Sequence, residues 1–145
     1  MNANVIELSA ANFEREVLGA IEPVLVGFWA GWSDACKAVA RVIDTVVEDP
    51  SIPFKVCAVN VEKNELLTEN CGVRTVPTLL LFNKNGLQGQ IVGHTTEVEL
   101  RRKLEGAYDT ARIESRPDLA WRPREISAGS SHTRLVANSG SEGSP

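Results

Sequence analysis

The residues of this sequence with the clearest chemical potential are a serine and a cysteine three positions apart, Ser33 and Cys36. A serine nucleophile needs a base; His94 is a conceivable partner, but no oriented Ser/His/Asp set is apparent. A cysteine thiolate is itself a nucleophile, and Cys36 and Cys71 are candidates, whereas Cys57 lies in an apolar stretch typical of a core. Three cysteines and two histidines suggest neither a disulfide scaffold nor a zinc site, so we expect no metal and no cofactor.

Ser33 also has a structural interpretation. Serine is a preferred helix N-cap, and Asp34 in the following turn complements the positive end of a helix dipole. An apolar helical pattern continues from there, with Val39 and Ile43 on one face. The sequence therefore predicts that Ser33 begins a helix and that Cys36 lies one turn inside it.

Strands and helices alternate along the first 108 residues. The apolar runs Val24–Ala30 and Phe54–Val61 are typical of strands buried on both faces. An Asn83–Gly86 turn predicts an antiparallel hairpin at one sheet edge. The remaining predicted elements are strands at Asn4–Leu8 and Pro77–Phe82, and helices at Ala10–Gly19, Glu62–Cys71 and from Thr96. This order predicts an α/β fold, with a central mixed sheet of about five strands flanked by four helices.

The composition changes near residue 108. From Asp109 to Pro145, 13 of 37 residues are Gly, Ser or Pro, and five basic residues balance five acidic ones. Such a segment cannot bury enough apolar surface to offset its ordering entropy. We therefore predict a domain at residues 1–108 and a mostly disordered tail at residues 109–145. The tail contains one apolar cluster, which consists of Leu119, Trp121 and Ile126. Three interpretations of this cluster stay open: it is passive, it folds back on the domain, or it binds a partner.

The charge and hydropathy patterns exclude several classes of function. A net charge of -4 and a pI near 5.2 argue against a broad surface for nucleic acid or for anionic membranes. No apolar run approaches the ~18 residues that a membrane span needs. The N-terminus lacks the pattern of a secretory signal, and cysteines are few, so we expect a cytoplasmic location.

Two segments resemble signature strings of the thioredoxin family. Phe28–Lys37 (FWAGWSDACK) is similar to the family's F-W-A-x-W-C-G-P-C-K, and Gly72–Thr78 (GVRTVPT) is similar to the loop before its cis-proline. The resemblance covers about residues 4–107. It implies a thioredoxin fold over the domain and a cis peptide bond between Val76 and Pro77.

The departures from the family pattern imply a degenerate redox site. The motif Ser33-Asp34-Ala35-Cys36 has serine at the attacking position, and only the resolving position keeps sulfur. A serine hydroxyl is hardly ionised at neutral pH and forms no disulfide. The aspartate and lysine that assist proton transfer in thioredoxins match Gly27 and Ala58, so the proton relay is also missing.

By the same resemblance, the surface on which thioredoxins hold an extended peptide remains; it comprises Trp32, Thr75, Val76, Pro77, Val92 and Gly93. A cis bond leaves the Val76 backbone free to pair with an added strand. The sequence thus predicts a module that binds an extended polypeptide or protein client, with little or no dithiol–disulfide reductase activity. The alternative is a weak or monothiol oxidoreductase that uses Cys36, with a partly exposed Cys71 as accessory thiol and a thioredoxin reductase as partner.

Overall fold

Five strands form one mixed sheet in the computed structural model, which describes residues 5–48 and 53–111. The strands are β1 (Ile6–Glu7), β2 (Val24–Trp29), β3 (Lys55–Asn60), β4 (Thr78–Asn83) and β5 (Gly86–Val92). Their order across the sheet is β1-β3-β2-β4-β5. The first three of these are mutually parallel, while β4 runs antiparallel to both β2 and β5. The predicted α/β fold with a five-stranded mixed sheet is confirmed.

The described helices are α1 (Asp34–Val47), α2 (Glu65–Asn70), α3 (Glu97–Thr110) and a short π-helical segment, Glu14–Leu18. The π-helical segment stands where a helix over Ala10–Gly19 was expected, so that prediction is wrong in length and in type. The side chains of Ser9 and Asn12 cap the start of this segment, because each accepts a hydrogen bond from a nearby backbone N–H. Ser9 Oγ accepts from Ala11 N at 3.2 Å, and Asn12 Oδ1 accepts from Ser9 N at 2.8 Å. This is the reciprocal pattern of a helix N-cap, and Phe13 N donates to Ser9 O at 3.0 Å, so the chain begins to turn at Ser9. The π-type bonding follows, with Gly19 N donating to Glu14 O at 2.9 Å.

Apolar side chains cover both faces of the sheet. The face beneath α1 and α3 buries Leu25, Val39, Ile43, Val46, Leu79, Leu81, Leu100 and Leu104. The face beneath the π-helical segment and α2 buries Phe13, Val17, Phe28, Leu67, Leu80 and Phe82. On that second face the rings of Phe13 and Phe82 meet edge to face, with centroids 6.2 Å apart. The two cores hold β2 in the middle of the sheet, and β2 leads directly into the loop before α1.

The last helix is fixed at both ends by side chains. Thr96 Oγ1 accepts from Glu99 N at 3.1 Å at its start, which is the predicted cap. Near its end, Asn83 Nδ2 donates to Ala107 O and to Thr110 Oγ1, both at 2.7 Å. The helix thus continues two residues past the domain boundary expected at residue 108. Residues 112–145 of the predicted tail lie outside the described part of the chain.

Within residues 5–48 and 53–111, no helix is both long enough and apolar enough to cross a bilayer.

Candidate functional site

Ser33 occupies the N-cap of α1, as the sequence predicts. Its backbone is extended, and its Oγ accepts a hydrogen bond from Cys36 N at 3.1 Å. The residue is only 7% exposed, so this hydroxyl satisfies a backbone donor that water does not reach easily. Ser33 and His94 both lie in the part of the chain that the structure describes, and no hydrogen bond joins them. The geometry assigns Ser33 a capping role and gives it no general base.

Cys36 lies in the first turn of α1 and is 8% exposed. Its remaining exposure faces a cleft of about 570 Å³, called here the α1 cleft. The walls of the α1 cleft come from β1, from the start of α1 and from the ends of β2 and β3; they include Glu7, Trp29, Cys36, Lys37, Ala40 and Ala58. Access to Cys36 therefore comes from beneath the helix.

Cys57 and Cys71 are shielded thiols. Both belong to the core beneath α2, on the opposite sheet face from α1. Burial raises the pKa of the Cys71 thiol to about 12 and that of Cys57 to about 11. The expectation that Cys71 is partly exposed is wrong, because Cys71 ends α2 with its side chain packed in that core. Three free cysteines are present in the described residues, and Cys36 lines the α1 cleft.

Gly27 and Ala58, the positions matched to the family's proton relay, face each other directly across the β2–β3 pairing. Both are buried. Side chains alternate along a strand, so these two positions share the α1 face with Leu25 and Val56. At the two positions beneath Cys36 where an aspartate and a lysine would carry opposite charges, this chain has the uncharged residues Gly27 and Ala58.

The proline loop and the loop that leads into α1 lie at the same end of the sheet, because Phe28 near the end of β2 pairs with Thr78 at the start of β4. The Val76–Pro77 peptide bond is cis. Thr78 Oγ1 donates to Thr75 O at 2.8 Å, and Gly93 N donates to Pro77 O at 2.8 Å. The second bond continues the β4–β5 pairing by one step beyond Thr78 and Val92, which fixes the loop to the end of the sheet.

Two exposed apolar side chains stand at this loop and the helix start. Trp32 is 70% exposed and Val92 is 57% exposed, fractions similar to those of Val98 (67%) and Leu66 (59%) elsewhere in the described residues. Thr75 is also exposed, and Val76 is half-buried. Among the described residues, no hydrogen bond engages the backbone N–H or C=O of Val76. These four residues with Pro77 and Gly93 are called here the proline-loop face.

The α1 cleft is the feature that sequence reasoning missed. Its signal lay in small residues such as Ala40 and Ala58, which lie far apart in the chain. Only the strand register and the position of α1 bring such residues to one place. Trp29 is half-buried at the cleft, and its Nε1 is buried without a hydrogen-bond partner among the described residues.

Comparison with known proteins identifies the family. Residues 4–106 match the family model named Thioredoxin. A thioredoxin of Pseudomonas aeruginosa is 36% identical over 105 residues, which are 72% of this chain and 97% of that protein. A thioredoxin of Buchnera aphidicola is 35% identical over 101 residues, 70% of this chain and 94% of the relative. Thioredoxin 1 of Synechococcus elongatus is 36% identical over 95 residues, 66% and 89% of the two chains. With this match over the whole five-stranded domain, the chain belongs to the thioredoxin family.

Proposed function

We propose that this chain binds extended polypeptide at the proline-loop face and has little or no dithiol–disulfide reductase activity. The observation that carries the proposal is the hydrogen bond from Cys36 N to Ser33 Oγ. It occupies the place where the family's chemistry needs an attacking thiolate at the positive end of a helix. A capping hydroxyl with no base beside it cannot take that role.

The missing relay supports the same proposal. Cys36 has no ionisable side chain beneath it at Gly27 or Ala58 to take or return a proton. A site that lacks both the attacking sulfur and the relay lacks two separate steps of disulfide exchange. Loss of the two relay partners together also leaves no unpaired buried charge, which would destabilise the fold.

The proline-loop face supports the binding half of the proposal. Trp32 and Val92 expose apolar surface on which side chains of an extended peptide can pack. Between them, the Val76 backbone offers a donor and an acceptor to an added strand. Main-chain pairing provides affinity that depends little on sequence, so unfolded segments of many proteins fit this surface. We expect this activity in a reducing cytoplasmic compartment.

Reductase activity is tested by reduction of insulin disulfides with dithiothreitol, using the full chain. We expect a rate close to that of dithiothreitol alone. A rate comparable with that of an ordinary thioredoxin measured in parallel would refute the proposal. Ser33→Cys, alone and together with Gly27→Asp, then separates the loss of sulfur from the loss of the relay.

Binding is tested with reduced, carboxymethylated α-lactalbumin, an unfolded chain that has no free thiol and so cannot be captured covalently. We expect Trp32→Ala to weaken binding about tenfold or more, the scale of an aromatic hot spot. Leu66→Ala is the matched control, because Leu66 is an exposed apolar residue (59%) on α2 and outside the proline-loop face. Equal effects of both substitutions would show that binding is nonspecific.

A second candidate is monothiol exchange at Cys36, which its position on the α1 cleft favours. The Cys36 thiolate would attack one sulfur of a disulfide, form a mixed disulfide with it and release the other sulfur as a thiolate. Burial of Cys71 argues against its service as the accessory thiol, so this reaction stops at the mixed disulfide. Mass spectrometry after incubation with glutathione disulfide tests it: a stoichiometric adduct on Cys36 favours this candidate. Reduction of that adduct by a thioredoxin reductase would identify the corresponding partner.

A further inference from the structure

The α1 cleft is separate from the proline-loop face. It lies beneath the first two turns of α1, and none of the six residues of the proline-loop face lines it. Its volume of about 570 Å³ is within the range of roughly 300–1,000 Å³ that is usual for small-molecule sites. What occupies the α1 cleft is therefore a question independent of polypeptide binding.

The cleft exists because small residues meet where α1 crosses the sheet. Ala58 lies opposite Gly27 in the β2–β3 register, and both lie on the α1 face. Ala40, one turn beyond Cys36 on α1, is the next small side chain along the wall. The cleft is open to solvent, since the exposed residues Glu7 and Lys37 line it, so its small side chains leave an apolar wall in contact with water. An open space of this size next to the core favours a ligand that fills it.

The walls carry one charge of each sign. Glu7 and Lys37 are both exposed and both line the cleft, whereas Trp29, Ala40 and Ala58 make its deeper wall largely apolar. Glu7 makes no ion pair with another described residue. Lys37 Nζ reaches Asp34 Oδ1 only at 3.7 Å, and the Asp34 side chain is almost fully exposed, so this pair is weak. Both charges are thus available to a ligand.

We propose that the α1 cleft binds a small zwitterion with an apolar body, that is, an apolar amino acid, free or in a short peptide. The ligand's carboxylate pairs with Lys37, its ammonium group pairs with Glu7, and its side chain packs against Ala40 and Ala58. A ligand with one charge fits this arrangement less well, because the second wall charge is left without a partner.

The test uses three aromatic probes of similar size with the full ¹⁵N-labelled chain: L-phenylalanine, phenylacetate and phenethylamine. The last two lack the ammonium group and the carboxylate, respectively. We expect saturable shifts of the amide signals of Cys36 and Ala40 with L-phenylalanine, with a dissociation constant on the order of 1 mM for a ligand of this size. Each one-charge probe should bind about two- to fivefold more weakly, as expected for exposed ion pairs.

Four variants locate the site. Lys37→Gln should weaken the binding of L-phenylalanine about two- to fivefold and leave the binding of phenethylamine unchanged. Glu7→Gln should also weaken the binding of L-phenylalanine about two- to fivefold, and it should leave the binding of phenylacetate unchanged. Ala58→Leu fills the cleft and should abolish the shifts. Ala40→Leu fills the cleft from the helix side and replaces Ala58→Leu in this test if Ala58→Leu does not fold.

The proposal is overturned if the shifts do not saturate, if the three probes bind equally, or if a folded filled variant binds as the parent does. Shifts confined to Trp32 and Val92 would also overturn it, since they place the ligand on the proline-loop face.

Discussion

Ser33→Ala is the substitution that most directly tests whether this serine is a structural cap. Ser33 Oγ accepts from Cys36 N at 3.1 Å, in a residue that is 7% exposed. Removal of an N-cap oxygen costs about 1 kcal/mol, with a range of about 0.5–2. The N–H left behind is shielded from water and has no replacement acceptor, which places the cost in the upper half of that range, at about 1.5 kcal/mol. For a domain of this size, we expect the Tm to fall by about 6–12 °C.

The assay is thermal unfolding followed by circular dichroism, with urea unfolding to obtain the free-energy difference. Ser33→Thr is the matched control, because it keeps the capping oxygen and should lie within about 0.5 kcal/mol of the parent. Thr96→Ala removes the corresponding cap of α3, where Thr96 Oγ1 accepts from Glu99 N at 3.1 Å in an exposed position. Its cost should be smaller, since water can replace the lost acceptor. A Tm change below about 2 °C for Ser33→Ala would refute the reasoning.

Three further predictions concern other parts of the domain. Lys55 Nζ lies 2.9 Å from Glu16 Oε1 and, with other partners, lowers the pKa of Glu16 below its ordinary value of 4.5. The stability that this ion pair contributes is present above pH 4.5 and is lost as the pH falls through the lowered pKa. In a plot of the unfolding midpoint against pH, Lys55→Met should therefore reduce the fall at acid pH. Cys57 and Cys71, whose pKa values burial raises to about 11 and 12, should resist iodoacetamide at pH 8 in the native protein and react in urea, as followed by mass spectrometry. Asn83→Ala removes both 2.7 Å bonds to the end of α3 and should cost about 1–3 kcal/mol in urea unfolding.

Local sequence patterns were sufficient for the features of the site that depend on one segment. The apolar run from Val24 predicts a central strand, because only a strand buried on both faces needs such a run. Ser33 and Thr96 predict helix starts, since their hydroxyls accept from the backbone three residues later. The Asn83–Gly86 turn predicts the hairpin, and Gly86 indeed has a positive φ of 100°.

The features that were missed depend on residues distant in the chain. Cys71 was expected to be partly exposed because it adjoins a loop, yet the packing of α2 against Val73 and Phe28 encloses it. The α1 cleft needs the β2–β3 register, which no local pattern gives. The π-helical form of Glu14–Leu18 was also missed, because Gly19 N donates to Glu14 O five residues back, and apolar periodicity does not distinguish this bonding from that of an α-helix.

Under the proposed non-redox function, the residues at positions 33, 27 and 58 are physically linked, which would explain why the fold tolerates them together. A carboxylate at Gly27 without an ammonium group at Ala58 would be a buried, unpaired charge, costing several kcal/mol. With both charges absent, the sheet beneath α1 is neutral, and the burial of Cys36 needs no compensating ion. Serine at position 33 then supplies an oxygen that is a better acceptor for Cys36 N than a thiol sulfur. Each change removes a requirement of redox chemistry and leaves the capped helix intact, while Trp32 and Val92, which contribute nothing to either core, remain exposed. The proposal that the proline-loop face binds polypeptide rests on these two apolar side chains together with the Val76 backbone, which no described hydrogen bond engages.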